Sequence, residues 1–350
     1  MGKMAQKEKG DKMNRKNIWI DCDPGIDDAI ALAVAAGSQD KLHICGISTV
    51  AGNLTSDKVT DNALKLSSFF GLEETPVVRG AERPLVRKME PAEDVHGENG
   101  VGGCVLPETE KKLASENGIF FMYQTIMTLP EGEKMILVPT GPLTNIALLL
   151  RTFPEVGDRI EKIVLMGGAY QGGNATPTAE FNIWTDPEAA QIVFSAQIPV
   201  VMCGLDVTKQ SGVTAEQVKE LCGSASLVEK ACGEMLRFYF KTEADNDIEI
   251  EAVAKEKGKQ NQIVGIHDVV TILYLTDPQI FGGEYVSVMV DCAWDRHRGT
   301  TMCRKEEPDP NKPGLVYMLN TVDLPRFQKI LLEKIRRCAS VVIATPDMGG

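Results

Sequence analysis

No apolar run in this sequence approaches the length of a membrane span. An apolar h-region is missing as well. The chain begins MGKMAQKEKGDKMNRKN, charged throughout, which excludes a secretory signal and marks residues 1–16 as an expected disordered leader. There is no CxxC pair. The nine cysteines are scattered and odd in number, and several lie inside apolar runs such as VVMCGLDV. They read as buried thiols in a reducing compartment, neither a disulfide framework nor a zinc site. A basic excess is also absent. The 37 Lys and Arg face 49 Asp and Glu, for a net charge of −12, which argues against nucleic acid or an anionic membrane as the main partner. Cytoplasm is the expected location. Histidine is scarce, with only His43, His96, His267 and His297, so each one near a motif carries weight.

What is present is ordinary globular composition, 43% hydrophobic and 25% charged over 350 residues. Short apolar runs alternate with amphipathic stretches. NIWIDC, LHICGISTV, TPVVRG, KMILVPTG, KIVLMGG and IPVVMCGLDV read as buried strands. Between them, IDDAIALAVAAG, SDKVTDNALKLSSFFG, GIFFMYQTIMTLP, PLTNIALLLRTF and DPEAAQIVFSAQ read as helices. Pro142 is placed in a first turn, and Asp186 and Pro187 at an N-cap and first helical position. This alternation predicts an α/β fold, a mostly parallel central sheet flanked by helices on both faces. The second half differs. It has helices at TAEQVKELCG, SLVEKACGEMLRFYF and HDVVTILYL, and an acidic stretch near 243–259. Strands follow at EYVSVMVDCAW, RGTTMCRK and GLVYMLNTV, then a last helix at PRFQKILLEKIRRC. This reads as a C-terminal α+β elaboration. With no repeat and no sharp composition break, residues 17–342 are expected to form a single domain, with 343–350 a tail.

The stretch DCDPGIDDA puts Asp21, Asp23, Asp27 and Asp28 directly after the first strand. Ligands in open parallel sheets sit beyond the carboxyl ends of the strands. Asp21 and Asp23 share one side of a period-two strand. Pro24-Gly25 turns the chain, and Asp27 and Asp28 fall in the first helical turn, where the dipole favours anions. Any one of these acids is explained as a helix-start residue or a solvated strand end; four together are not. Carboxylates crowded in this way take up protons or bind a cation. Hard oxygen donors without clustered His or Cys point to Ca²⁺ or Mg²⁺. The spacing is not that of an EF-hand. Further donors stand at other strand ends: the Thr140 carbonyl in PTGPLTN, Asn53 in VAGN, and Glu180 and Asn182 in AEFNIWTDPEAA. His267 and Asp268 begin a helix, where, taken alone, a plain N-cap with a surface His is the favoured reading. Asn and Glu beside a metal suit the vicinal hydroxyls of a sugar, although Asn at a strand end is also a common turn residue.

Taken in order, DCDPGIDDA, VAGN, HGENGVGG, VPTGPLTNIA, VLMGGAYQGGNATPTAEFNIWTDPEAA and HDVV resemble the inosine–uridine-preferring nucleoside hydrolases from about residue 17 to 275. The resemblance implies a Ca²⁺ enzyme that cleaves the N-glycosidic bond of ribonucleosides with water, in purine and pyrimidine salvage, as a homodimer or homotetramer. It places Asp23, Asp28, the Thr140 carbonyl and Asp268 on the metal. Asp23 is also general base on a metal-bound water. Asp27, Asn53, Glu180 and Asn182 hold ribose hydroxyls, and Met166 and Asn174 line the sugar side. His267 stands as the leaving-group acid. His96 lies near the base on a mobile loop. The chemistry is consistent. Glycosidic cleavage passes through an oxocarbenium-like state, which a carboxylate-rich pocket stabilises. Ca²⁺ acidifies water weakly, so a carboxylate base is needed beside it.

The acidic stretch near 243–259 departs from the family, which places aromatic and basic residues there; Tyr239 in RFYF retains part of that role. Two other readings stand open: a Ca²⁺-dependent sugar or nucleoside binder without turnover, and a metal-dependent phosphoryl hydrolase. Against the latter, Gly25 occupies the place where a DxD nucleophile motif carries Thr or Val.

Overall fold

The computed structural model describes residues 15–243, 263–307 and 315–344. The acidic stretch, most of the leader and most of the tail named above lie outside them. The strands are β1 (Lys16–Cys22), β2 (Leu42–Thr49), β3 (Val77–Arg79), β4 (Met135–Pro139), β5 (Ile160–Met166) and β6 (Val200–Cys203), then β7 (Gly212–Thr214), β8 (Ile263–Gly265), β9 (Phe281–Val290), β10 (Thr301–Lys305) and β11 (Val316–Val322). A nine-stranded sheet runs in the order β10-β9-β11-β6-β5-β4-β1-β2-β3. Every neighbouring pair from β11 to β3 is parallel; β9 is antiparallel to both its neighbours.

The near-continuous apolar strands are buried on both faces, with period two. Ile18 and Ile20 of β1 and Ile136 and Val138 of β4 enter one core. Trp19, Met135 and Leu137 enter the other. Helix Ile26–Ala36 is apolar on every side past its first turn, and all of it is buried. Helices 269–276, 324–344 and 227–243 pack over it. The opposite face is covered by helices 118–127, 144–152 and 187–194.

The path of the chain positions the site. From β1 the strands proceed outward to β2 and β3, and the chain then returns so that β4 lies on the other side of β1. The order reverses at the β1/β4 boundary, and such a switch point leaves a crevice at the carboxyl ends of the strands. DCDPG and PTGP occupy that crevice.

Several local expectations shift. Helix 144–152 starts after Leu143, so Pro142 precedes its N-cap instead of sitting in the first turn. β6 stops at Cys203, because the chain turns at Gly204 into a short helix, Leu205–Thr208. β1 begins at Lys16, one residue before the expected domain start. The two-stranded β7/β8 sheet, pairing Gly212 with Gly265, was not foreseen. Among the described residues no helix is long and apolar enough to cross a membrane.

Candidate active site

A cavity of about 400 Å³ opens at the switch point. Asp27, Asn53 and Thr140 reach it from the ends of β1, β2 and β4. Met166 reaches it from the end of β5, and Asn174, Glu180 and Asn182 from the segment that follows. Asp268 joins the acids, and the facing wall holds His96 and His267. Asp23 and Asp28 are not part of the lining; they sit just beneath it, at most 1% exposed.

The carboxylates are held by donors from several strand ends. Asp23 Oδ2 accepts the Asn53 N–H at 2.6 Å, while its Oδ1 is buried without a partner. The glycines around it are cut to its shape. A Cβ on Gly52 would stand 2.0 Å from Oδ2, and one on Gly141 would stand 2.5 Å from Oδ1. Asp28 Oδ2 accepts the Gly25 N–H at 3.1 Å and Asn53 Nδ2 at 3.2 Å, and its Oδ1 accepts the Thr140 hydroxyl at 2.8 Å. Gly25 precedes the helix by one residue, so Asp28 reaches back as in a capping box. Asn182 Nδ2 donates to the Thr140 carbonyl at 2.7 Å and to the Met166 carbonyl at 3.2 Å. Glu180 caps helix Phe181–Thr185, accepting from the backbone of Asn182, Ile183 and Gly168. Asn174 Oδ1 accepts the Phe181 N–H at 2.9 Å.

Burial drives the acids upward. It pushes Glu180 to about 7 and Asp28 to about 6, with Asp27 adding to Asp28's rise. Asp23 and Asp268 stand well above the carboxylate range, through burial first and then through neighbouring aspartates. Such groups either hold protons or face a cation. Asp27, Asp28 and Asp268 each offer an oxygen within 4.8 Å of the others. With the orphaned Asp23 Oδ1 and the Thr140 carbonyl, the donors form an all-oxygen set that fits a hard divalent cation. The expected set differs in one respect: the acid trio drawn closest together contains Asp27, assigned above to ribose, and not Asp23.

Asp21 does not join the cluster. It is fully buried, accepts the Ser48 hydroxyl and accepts Asn145 Nδ2 at 2.7 Å, while Ser48 in turn accepts the Trp19 indole N–H at 2.8 Å. Burial pushes it to about 7. Asp21 shares strand parity with Trp19 and points into that network; Asp23 lies beyond the end of β1, where the alternation no longer applies.

On the facing wall both imidazoles are held neutral. His96 closes a short helix, Glu93–His96. It is 5% exposed, accepts the Ile26 N–H at Nδ1 (3.2 Å) and stacks on Tyr239 with centroids 6.1 Å apart. Burial lowers it to about 4. His267 Nδ1 lies 2.7 Å from the Thr208 hydroxyl; burial lowers it, Asp27 opposes that, and Lys209 adds to it. Thr208 and the lining residue Lys209 were missed from sequence. The strand-mouth rule points to them as well, since they follow β6 as other lining residues follow β1, β2, β4 and β5.

A family model described as inosine-uridine preferring nucleoside hydrolase matches residues 18–329. A protein of Photobacterium profundum named pyrimidine-specific ribonucleoside hydrolase RihA is 38% identical over 91% of this chain and 98% of its own length. The solved structure of a purine-preferring ribonucleoside hydrolase from Gardnerella vaginalis superposes with a TM-score of 0.80 at 29% identity, covering 94% of this chain and 100% of that one. A plant nucleoside hydrolase, PpNRh1, gives 0.79 at 28% identity over 91% and 98%.

Proposed function

The chain belongs to the inosine-uridine preferring nucleoside hydrolase family, and from that premise we propose that it is a Ca²⁺-dependent ribohydrolase that cuts ribonucleosides to free base and ribose for nucleoside salvage. One observation carries the reading. At the sheet's switch point, oxygen donors from five separate segments converge on a cavity whose other wall holds neutral imidazoles. Asp28, Asp268, the Thr140 carbonyl and Asp23 would hold the cation, with an Asp27 oxygen close to those of Asp28 and Asp268. When bound, Ca²⁺ supplies a hard Lewis-acidic centre that orients vicinal hydroxyls and makes water easier to deprotonate.

The chain's own residues do the rest. Asp27, Asn53, Glu180 and Asn182 bind the ribose hydroxyls. Met166 and Asn174 close the sugar side, Met166 from within a small buried cluster with Ala169 and Leu205. Asp23, fixed by the Asn53 N–H between two glycines, takes a proton from the attacking water at its carboxylate. The acids beneath the sugar stabilise the positive charge that develops at the anomeric carbon. His96 and His267 contact the base, and His267, oriented by Thr208, delivers a hydrogen bond to the leaving group.

The test is release of reducing sugar from uridine, cytidine, inosine and adenosine, with and without a chelator. Ribose appears from at least one substrate, disappears on chelation and returns with Ca²⁺. No ribose from any substrate, or activity that resists chelation, refutes the proposal.

A further inference from the structure

The two walls of the cavity differ in charge. The carboxylates of Asp27, Glu180 and Asp268 face it on the sugar side, whereas the base side carries His96, Tyr239 and His267 and, among the described lining residues, one cation, Lys209. Lys209 is exposed at the cavity rim and makes no ion pair among the described residues. Its backbone is fixed. Lys209 ends the short helix after β6, its N–H bonding the Leu205 carbonyl at 3.2 Å. Gly265 lets this turn lie against the His267 segment: a Cβ there would stand 3.0 Å from the Thr208 carbonyl oxygen and 3.6 Å from the Lys209 Cα. Thr208, next door, holds the His267 ring.

We propose that Lys209 is a specificity-determining residue: its ammonium stabilises the negative charge that develops on the carbonyl oxygen of a departing pyrimidine base. The inference rests on the nucleoside hydrolase reading of the cavity and deepens it. In the step concerned, the bond from C1′ to the base nitrogen breaks and its electron pair stays with the base, delocalised onto the adjacent carbonyl oxygen. The water oxygen bonds to C1′ and its proton passes to Asp23. The released base then takes a proton from solvent, giving base and ribose. Acids beneath C1′ and a cation beyond the base set a field along the breaking bond in the direction of cleavage. Uracil has no basic ring nitrogen that would let it leave as a neutral molecule. A purine can leave after protonation of its imidazole ring, and a nearby cation opposes that protonation. Lys209 therefore acts with opposite sign on uridine and on purine nucleosides.

The experiment compares kcat/KM for uridine and inosine in the full-length, Ca²⁺-loaded protein, in Lys209→Met and in Lys209→Arg. Lys209→Met is expected to lower the uridine-to-inosine ratio about tenfold, equivalent to about 1.4 kcal/mol of barrier difference, and Lys209→Arg to restore most of it. A change that is merely structural lowers both substrates together and leaves the ratio where it was; that result overturns the inference while leaving the hydrolase reading intact. Wild-type protein that releases ribose from neither substrate overturns both.

Discussion

A single methyl group at residue 52 is enough, on this geometry, to disable the enzyme. In Gly52→Ala the new Cβ falls 2.0 Å from Asp23 Oδ2 and 2.7 Å from Pro142 Cδ. Carbon and oxygen in ordinary contact stand roughly 3.3–3.6 Å apart. Pro142 blocks retreat on one side, so the carboxylate must move by more than about 1 Å, and the 2.6 Å bond from the Asn53 N–H to that oxygen goes with it. A reacting group displaced by 1 Å costs on the order of 100-fold in rate, or about 2.7 kcal/mol of barrier. The assay is kcat/KM on whichever nucleoside the wild type cleaves best, with Ca²⁺ titrated in parallel, since the same shift weakens cation binding. Gly157→Ala is the control: its Cβ would meet only Ile198 Cδ1, at 3.9 Å. Gly141→Ala approaches Asp23 from its other oxygen and should fail in the same way. If Gly52→Ala kept more than about a third of wild-type kcat/KM, with unchanged Ca²⁺ affinity, the claim that this cradle sets the position of Asp23 would be wrong.

Asp23→Asn keeps the volume but removes the base; turnover should fall by at least about 100-fold with circular dichroism unchanged, and substantial residual activity contradicts the base assignment. His267→Ala should slow uridine more than p-nitrophenyl riboside, whose leaving group needs less help; equal losses would show that the imidazole does not serve the leaving base. A pH series on the metal-free protein tests the raised acids. Asp21 and Glu180 sit at about 7 when folded, Asp23 and Asp268 are raised as well, and carboxylates of the unfolded chain titrate near 4. Between pH 6.5 and 8 the folded state thus holds protons that the unfolded state has already lost, so stability falls as pH rises, by about 1.4 kcal/mol per pH unit for each such proton. The two buried histidines, both lowered, oppose this only at the low end of the window, where the unfolded imidazoles are still partly protonated, and that opposition fades as pH rises past their ordinary value of 6.5. Melting temperature should drop across that window without metal and recover on adding Ca²⁺. A flat or rising profile in the metal-free protein would refute it.

The sheet was legible because its strands are apolar on both faces, so NIWID and KMILV each declared a buried strand and the turn after each declared a mouth. Glu180 and Asn182 were legible from their place after β5. Other features were hidden by distance or brevity. Asp21 finds its partner Asn145 124 residues away, and nothing near either residue announces the pairing. The cradle of Gly52 and Gly141 looks in sequence like two ordinary turn glycines. β7 and β8 are three residues each, too short to carry a period, yet Gly265 in β8 brings Lys209 up to the cavity.

The deeper ambiguity was among the aspartates themselves, which look alike on the page and serve opposite ends. Asp186 is as buried as any of them. It accepts the Thr144 hydroxyl and the Leu85 and Ala189 N–H groups, so fixed neutral donors satisfy it and little capacity remains for a ligand. Asp21 is engaged at one oxygen by Ser48 and Asn145 and has Oδ2 buried without a partner, but it stands outside the trio of Asp27, Asp28 and Asp268. Around Asp23, Asp28 and Asp268 the strongest influences after burial are other carboxylates. Like charges packed at this density oppose folding, and the few backbone donors present do not cancel the repulsion. A chain that needed these residues only for structure would lose nothing by replacing some with Asn. The acids that the fold tolerates least are therefore the ones whose presence calls for a ligand, and that ligand must be positive.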